Sequence, residues 1–460
     1  MKVDMLVEDG KLLLSGSLVE ASLAINEGKI VAVTKLPEHF KPEVKVKAGG
    51  KLVLPGAIDC HVHFREPGRT VKEDFETGSA AAAVGGVTTV FDMPNTDPPT
   101  TSLQAFKEKV EAASRRSLVD FSIWGGLSTD NLAEAAKLVS AGVVGFKVMA
   151  SRAELARGAH VFTVPGDGGS LLSLMEEAVR LRTTLAFHCE DFSLRRSLEE
   201  KLKAQGRRDA LAYLESIPSE GEASAAFRVL AAARLTGAKV HLVHVSSKLA
   251  LKVLRWGKGL GLKVTAETCP HYLFLTHETV ESLGPEAKID PPIRGREDGE
   301  ALWEAVDKGF IDLVASDHSP HTMEEKEEGW RDFWKAPPGF CGVETLLPLM
   351  LTQVFQGRLS LTRLVRLMAE NPARAFGLWG VKGSLQPGFD ADLVLVDPKG
   401  EWVIRRENLH SKSKVTPWDG WKVKGRIILT MVRGEVVAEG GEPVGKPGWG
   451  KLVKPKADRS

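Results

Sequence analysis

Eight short apolar runs, separated by amphipathic stretches, constrain this chain more than any other feature. The runs are AIDCHV (57–62), VTTVFDM (87–93), DFSIWG (120–125), VVGFKVM (143–149), TLAFHC (184–189), VHLVHV (240–245), KVTAET (263–268) and IDLVAS (311–316). Between them lie helical patterns such as SLQAFKEKVEAASRR, SLLSLMEEAVRLR and DGEALWEAVDKG. Near-continuous apolar strands alternating with such helices specify a parallel sheet covered on both faces. Eight is the strand count of a closed (β/α)8 barrel, with a doubly wound open sheet as the alternative. The stretch from Asp191 to Gly237 is too long for one helix and is expected to hold two.

The ends read differently. Residues 1–55 carry alternating strands with glycine turns and no long helix, and residues 378–440 repeat that style in QPGFDADLVLVDP, EWVIRR and ILTMVRGEVVAEGG. Two β-rich ends flanking a barrel at 56–377 pair most simply into one small β-sandwich domain. Residues 441–460, rich in Gly, Pro and Lys, read as an arm or tail.

Charge argues against two partner classes. Lys and Arg total 61 against 60 for Asp and Glu, so neither nucleic acid nor an acidic membrane surface is expected as a partner. MKVDMLVEDGK does not read as a signal peptide, and no run has a membrane span's length. Cys60, Cys189, Cys269 and Cys341 are far apart, with no C-x-x-C pair, so reduced thiols and a cytoplasmic setting are expected. Scarce Asn and Gln beside abundant Arg, Lys and Glu suggest a thermophilic source.

Barrel chemistry sits at the C-terminal ends of the strands. There the first strand carries His61 and His63, the fourth Lys147, the fifth His188, the sixth His244 and the eighth Asp317. Each alone has a plain structural role available: a satisfied core histidine, a snorkelling lysine, a helix-capping aspartate. Together they point to a metal centre, and His-rich ligation with a carboxylate suits Zn²⁺, with Co²⁺ or Mn²⁺ as alternatives. An ammonium at Lys147 would repel cations. Carbamylation by CO₂ (N6-carboxylysine) would make Lys147 an anionic bridge between two ions.

These positions resemble the binuclear-metal amidohydrolase superfamily over nearly the whole chain, including KGSLQPGFDADLVLVD. Within it, HVHFREPG, DMPNTDPP, SDHSPHTMEEK and PPGFCGVETLLPLML resemble dihydroorotases, especially the dihydroorotase domain of the animal multifunctional pyrimidine enzyme. The resemblance implies a zinc hydrolase with two ions per chain, closing N-carbamoyl-L-aspartate to L-dihydroorotate in pyrimidine (UMP) synthesis through a metal-bridged hydroxide. It further implies Asp317 as proton carrier, and Arg65, Asn95, His321, Pro338 and Gly339 as substrate contacts. A homo-oligomer is expected, as is association with other pyrimidine-pathway enzymes.

Two features depart from that pattern. Asp290 stands where many dihydroorotases carry asparagine, and it would repel an anionic substrate unless Arg294 or Arg296 neutralises it. The segment SRAELARGAHVFTVPGDGG lacks a threonine at the substrate-covering position, Thr163 coming later, and looks more like allantoinases or hydantoinases. An allantoinase, a hydantoinase-like enzyme and an inactive scaffold of this fold are the alternatives.

Overall fold

The computed structural model describes residues 1–14, 16–150 and 168–456. Its centre is the expected barrel of eight parallel strands: Ala57–Val62, Val87–Asp92, Asp120–Ile123 continued by Gly125–Gly126, Phe146–Met149, Thr184–His188, Lys239–Leu242, Val264–Thr268 and Leu313–Val314. The ring closes where Val62 bridges His318 and the His63 N–H donates to the His318 carbonyl at 2.8 Å. An open doubly wound sheet has no such closing contact.

The first two strands are buried along their whole length, as both-face coverage requires. Helix starts are written locally: Asp74, Ser102, Asp191 and Ser247 each accept a backbone N–H of the first turn they precede. Between Asp191 and Gly237 there are three helices rather than two: Phe192–Ala204, Ala210–Ser216 and Ser219–Thr236. Gly206, at φ 78°, and Pro218 punctuate the run, and the extra break leaves a short middle helix.

Both chain ends contribute to one connected nine-stranded sheet. Its longest strand, Lys2–Leu14, has a register shift between Val7 and Gly10. Beyond the shift its partner changes from Lys41–Lys47 to Leu52–Pro55. Leu52–Pro55 also pairs antiparallel with Leu393–Val403, which stitches the N-terminal part to the C-terminal part. This sheet has its own core around Leu12, Leu23, Ile25, Leu393 and Met431. Gly56 then passes the chain into the barrel, where a Cβ would lie 2.2 Å from Thr88 Oγ1.

Glu442–Pro443 adds the last strand to the nine-stranded sheet, and residues 450–453 then pack on the barrel. Lys451 accepts the Phe121 N–H at 3.0 Å and the Val453 N–H donates to the Phe121 carbonyl at 2.8 Å, so the arm runs beside the third strand.

Candidate active site

Parallel strands deliver the polar side chains to one rim. His61 and His63 are two apart and share a face, and their Nε2 atoms lie 3.3 and 3.4 Å from Asp317 Oδ1. Two donors each about 2.0–2.1 Å from a tetrahedral ion are about 3.3 Å apart, so this trio has the spacing of a metal site. Across the rim, His188 Nδ1 and His244 Nε2 are 3.0 Å apart. Lys147 is buried among them and lines the same cavity of about 180 Å³.

Electrostatics favour the ligand forms of the histidines. Burial pushes His61 down to about 4, with the Lys147 charge adding to it, and holds His63 and His244 well below the usual imidazole range. All three are therefore neutral at pH 7, as metal ligation requires. Burial brings Lys147 down to about 8, which raises the share of free amine. It also holds the Asp317 carboxyl well above its usual value, against the pull of Lys147. The buried Nδ1 of His63 has no hydrogen-bond partner among the described residues. Arg65, His244 and Asp317 have φ of 62°, 38° and 48°, a left-handed backbone that non-glycine residues hold only under constraint.

The substrate-side residues divide. Asn95, Asp290 and Pro338 line the cavity, whereas Arg65, His321 and Gly339 do not. The buried Oδ1 of Asn95 has no partner among the described residues. Arg65 forms no ion pair with Glu66 or Glu73; its Nε donates to the Pro320 carbonyl at 3.2 Å and its Nη2 lies 3.2 Å from His321 Nε2. The Gly339 N–H is committed to the Lys288 carbonyl at 2.8 Å, so it has no proton for a substrate. Thr163 and the segment around it lie outside the described residues.

Asp290 is neutralised, though not by Arg294 or Arg296. Arg195 Nη1 reaches it at 3.2 Å and the Tyr213 hydroxyl donates to it, while Arg294 turns to Ser246, Ile217 and Glu222. The same Arg195 nitrogen holds Glu190 at 2.9 Å, and Glu190 accepts from His188 Nε2 at 2.9 Å. Burial would raise Glu190, but Arg195 and His188 overcome it and hold the group at about 2. With Nε2 protonated toward Glu190, the Nδ1 lone pair of His188 faces His244. Glu190 and Arg195 were missed from sequence; the H-x-E spacing of His188 and Glu190 was the available signal.

A second acidic trio, Asp120, Asp390 and Asp392, is geometrically compact. Lys382 Nζ occupies its centre at 2.5, 3.0 and 2.6 Å from the three carboxylates, which makes it an ion-pair cluster.

A model of the amidohydrolase family matches residues 52–437. The chain belongs to the amidohydrolase family. Among solved structures, L-Hydantoinase (Dihydropyrimidinase) from Arthrobacter aurescens is similar, with a TM-score of 0.94 and 38% identity, covering 98% of this chain and 100% of that one. An allantoinase of Rubrobacter xylanophilus is 39% identical over 458 residues, covering 99% of this chain and 98% of the relative. A dihydroorotase of Methanosarcina mazei is 37% identical over 470 residues, covering 99% of each. This amidohydrolase is a hydrolase acting on cyclic amides. Among its described residues no helix is long and apolar enough to cross a membrane.

Proposed function

We propose that this amidohydrolase is a dihydroorotase, interconverting L-dihydroorotate and N-carbamoyl-L-aspartate. The observation that carries the reading is the meeting of Arg65 and His321 at 3.2 Å beside the cavity, residues 256 positions apart in sequence. Arg65 Nη1 makes no hydrogen bond among the described residues, and Asn95 Oδ1 is equally unengaged. The free side of the Arg65 guanidinium and the Asn95 amide make a fitting receptor for the ring carboxylate, with His321 Nε2 accepting from Arg65 Nη2 and aiming it.

In this reading His61, His63 and Asp317 would hold one divalent ion and His188 and His244 a second, with carbamylated Lys147 as a further anionic ligand. Zn²⁺ is the ion these residue types suit. Bound there, the ions supply an activated water and polarise the scissile carbonyl. Arg65, aimed by His321, and Asn95 fix the ring before attack, which removes the entropic cost of finding the reactive pose. Asp317 accepts the proton lost by the attacking water and returns it to the departing ring nitrogen. Closure of carbamoyl aspartate runs the same transfers backward.

A second reading has its own observation. Among the described residues, Glu190 and Asp290 put two carboxylates against Arg195 on one cavity wall, an acidic lining better suited to an uncharged cyclic ureide than to an anion. Hydantoin or allantoin would be that substrate. Side-by-side assays of the zinc-loaded protein on dihydroorotate, hydantoin and allantoin test the choice. Dihydroorotate is expected to have the highest kcat/KM; efficient turnover of either other ring with none of dihydroorotate gives the case to the second reading.

A further inference from the structure

Beneath the cavity, on the seventh barrel strand, Glu267 is fully buried and has no part in the reaction above. A carboxylate so placed is costly unless donors satisfy it. Oε1 accepts from His61 Nδ1 at 2.5 Å and from the His244 backbone N–H at 3.4 Å. Oε2 accepts from His241 Nε2 at 3.0 Å and from Cys60 Sγ at 3.2 Å. The donors come from the first and sixth strands, on both sides of the proposed metal centre.

An ionised carboxylate only accepts, so both imidazoles must turn an N–H toward it. For His61 this leaves Nε2 unprotonated, and Nε2 is the nitrogen 3.3 Å from Asp317. His241 is secured in the matching form, its Nδ1 accepting from Thr265 Oγ1 at 2.9 Å. His244 is reached through its main chain, at the point where that strand bends into φ 38°. A carboxylate behind a ligating histidine fixes its tautomer and raises its basicity.

We propose that Glu267 is a positioning residue that sets the tautomer and aim of His61 and braces His244, so one buried carboxylate pre-forms both halves of the metal centre. The proposal rests on the metal reading of the site. A merely structural Glu267 would stabilise the barrel without affecting how tightly metal is held.

The test compares wild type, Glu267→Gln and Glu267→Asp by zinc content per chain after dialysis against buffers of graded free Zn²⁺, with circular dichroism reporting the fold. Gln keeps the size and removes the charge; Asp keeps the charge and draws it back by one methylene. Zinc binding by folded Glu267→Gln is expected to weaken on the order of 10–100-fold, with Glu267→Asp in between. In Co²⁺-loaded protein, the exchangeable hyperfine-shifted Nδ1–H of His61 is expected to exchange with solvent measurably faster in Glu267→Gln than in wild type, and an unchanged exchange rate counts against the positioning role. Wild type that takes up no metal overturns the site reading itself. Wild type with two ions, alongside a folded Glu267→Gln that holds both at the same free Zn²⁺, overturns the positioning role alone. If Glu267→Gln does not fold, Glu267→Asp decides: a loss of affinity of about threefold or more supports the proposal and any smaller change overturns it.

Discussion

Arg65 does two jobs that substitution can separate. Its Nε anchors the Pro320 carbonyl, and the rest of its guanidinium faces His321. A charge-assisted contact to a carboxylate is worth roughly 2–3 kcal/mol, so Arg65→Met should cut kcat/KM for dihydroorotate on the order of 30–150-fold. Arg65→Lys should recover only part, because an ammonium lacks the planar fork. Slow turnover of hydantoin, which carries no carboxylate, should change little; equal losses on both rings would assign Arg65 to holding the Asp317–His321 segment. At Lys147 the expectation concerns the metal. Lys147→Ala should lose bound zinc by elemental analysis, and acetate or propionate should restore part of the activity. An unmodified amine at Lys147 in an experimental density map of the zinc-loaded protein would refute the carbamate directly.

At the scale of elements, the strand ends carry the chemistry and the strand beginnings carry the joints. Asp120 opens the third barrel strand, at the end remote from the cavity, and Asp392 immediately precedes the sheet strand Leu393–Val403. Lys382 ties the two together, and Arg433 reaches the same Asp120 from the turn after Lys422–Val432. Removing one partner of a buried pair leaves uncompensated charge and costs about 3–5 kcal/mol. Lys382→Met should therefore lower the melting temperature by several degrees while zinc content stays at the wild-type level. A variant that melts like wild type would show that the three carboxylates share protons instead.

For the whole molecule, bound metal and the C-terminal arm are expected to act on stability through different routes. An ion that binds only the folded chain adds about 4 kcal/mol at a thousand times its Kd, so chelation should lower the melting temperature and added Zn²⁺ should restore it. Deleting residues 447–460 removes the pairing at Phe121 and the Trp449 carbonyl that receives Arg433. This truncation should also melt earlier, yet keep its zinc, since none of the arm's described residues lines the cavity. Loss of zinc on truncation would mean that the third strand transmits the arm's packing to the rim.

Much of this molecule is determined by local pattern. Strand period and burial are set within six or seven residues, so all eight barrel strands and the histidines at their ends are legible in the letters. The helix caps are legible for the same reason. What distant chain segments do to one another is not. Arg195, not Arg294 or Arg296, meets Asp290 because a helix on one barrel loop swings it there from 95 residues away. Glu267 reads as an ordinary strand residue until closure puts it under His61, 206 residues off. Arg65 and Gly339 carry the letters of a substrate site, but only the packing shows that Arg65 spends its Nε on Pro320 while leaving Nη1 free among the described residues, and that the Gly339 N–H is already bonded. Buried charges must be paired, and the sequence states the charges; which partner each one finds is a property of the closed barrel.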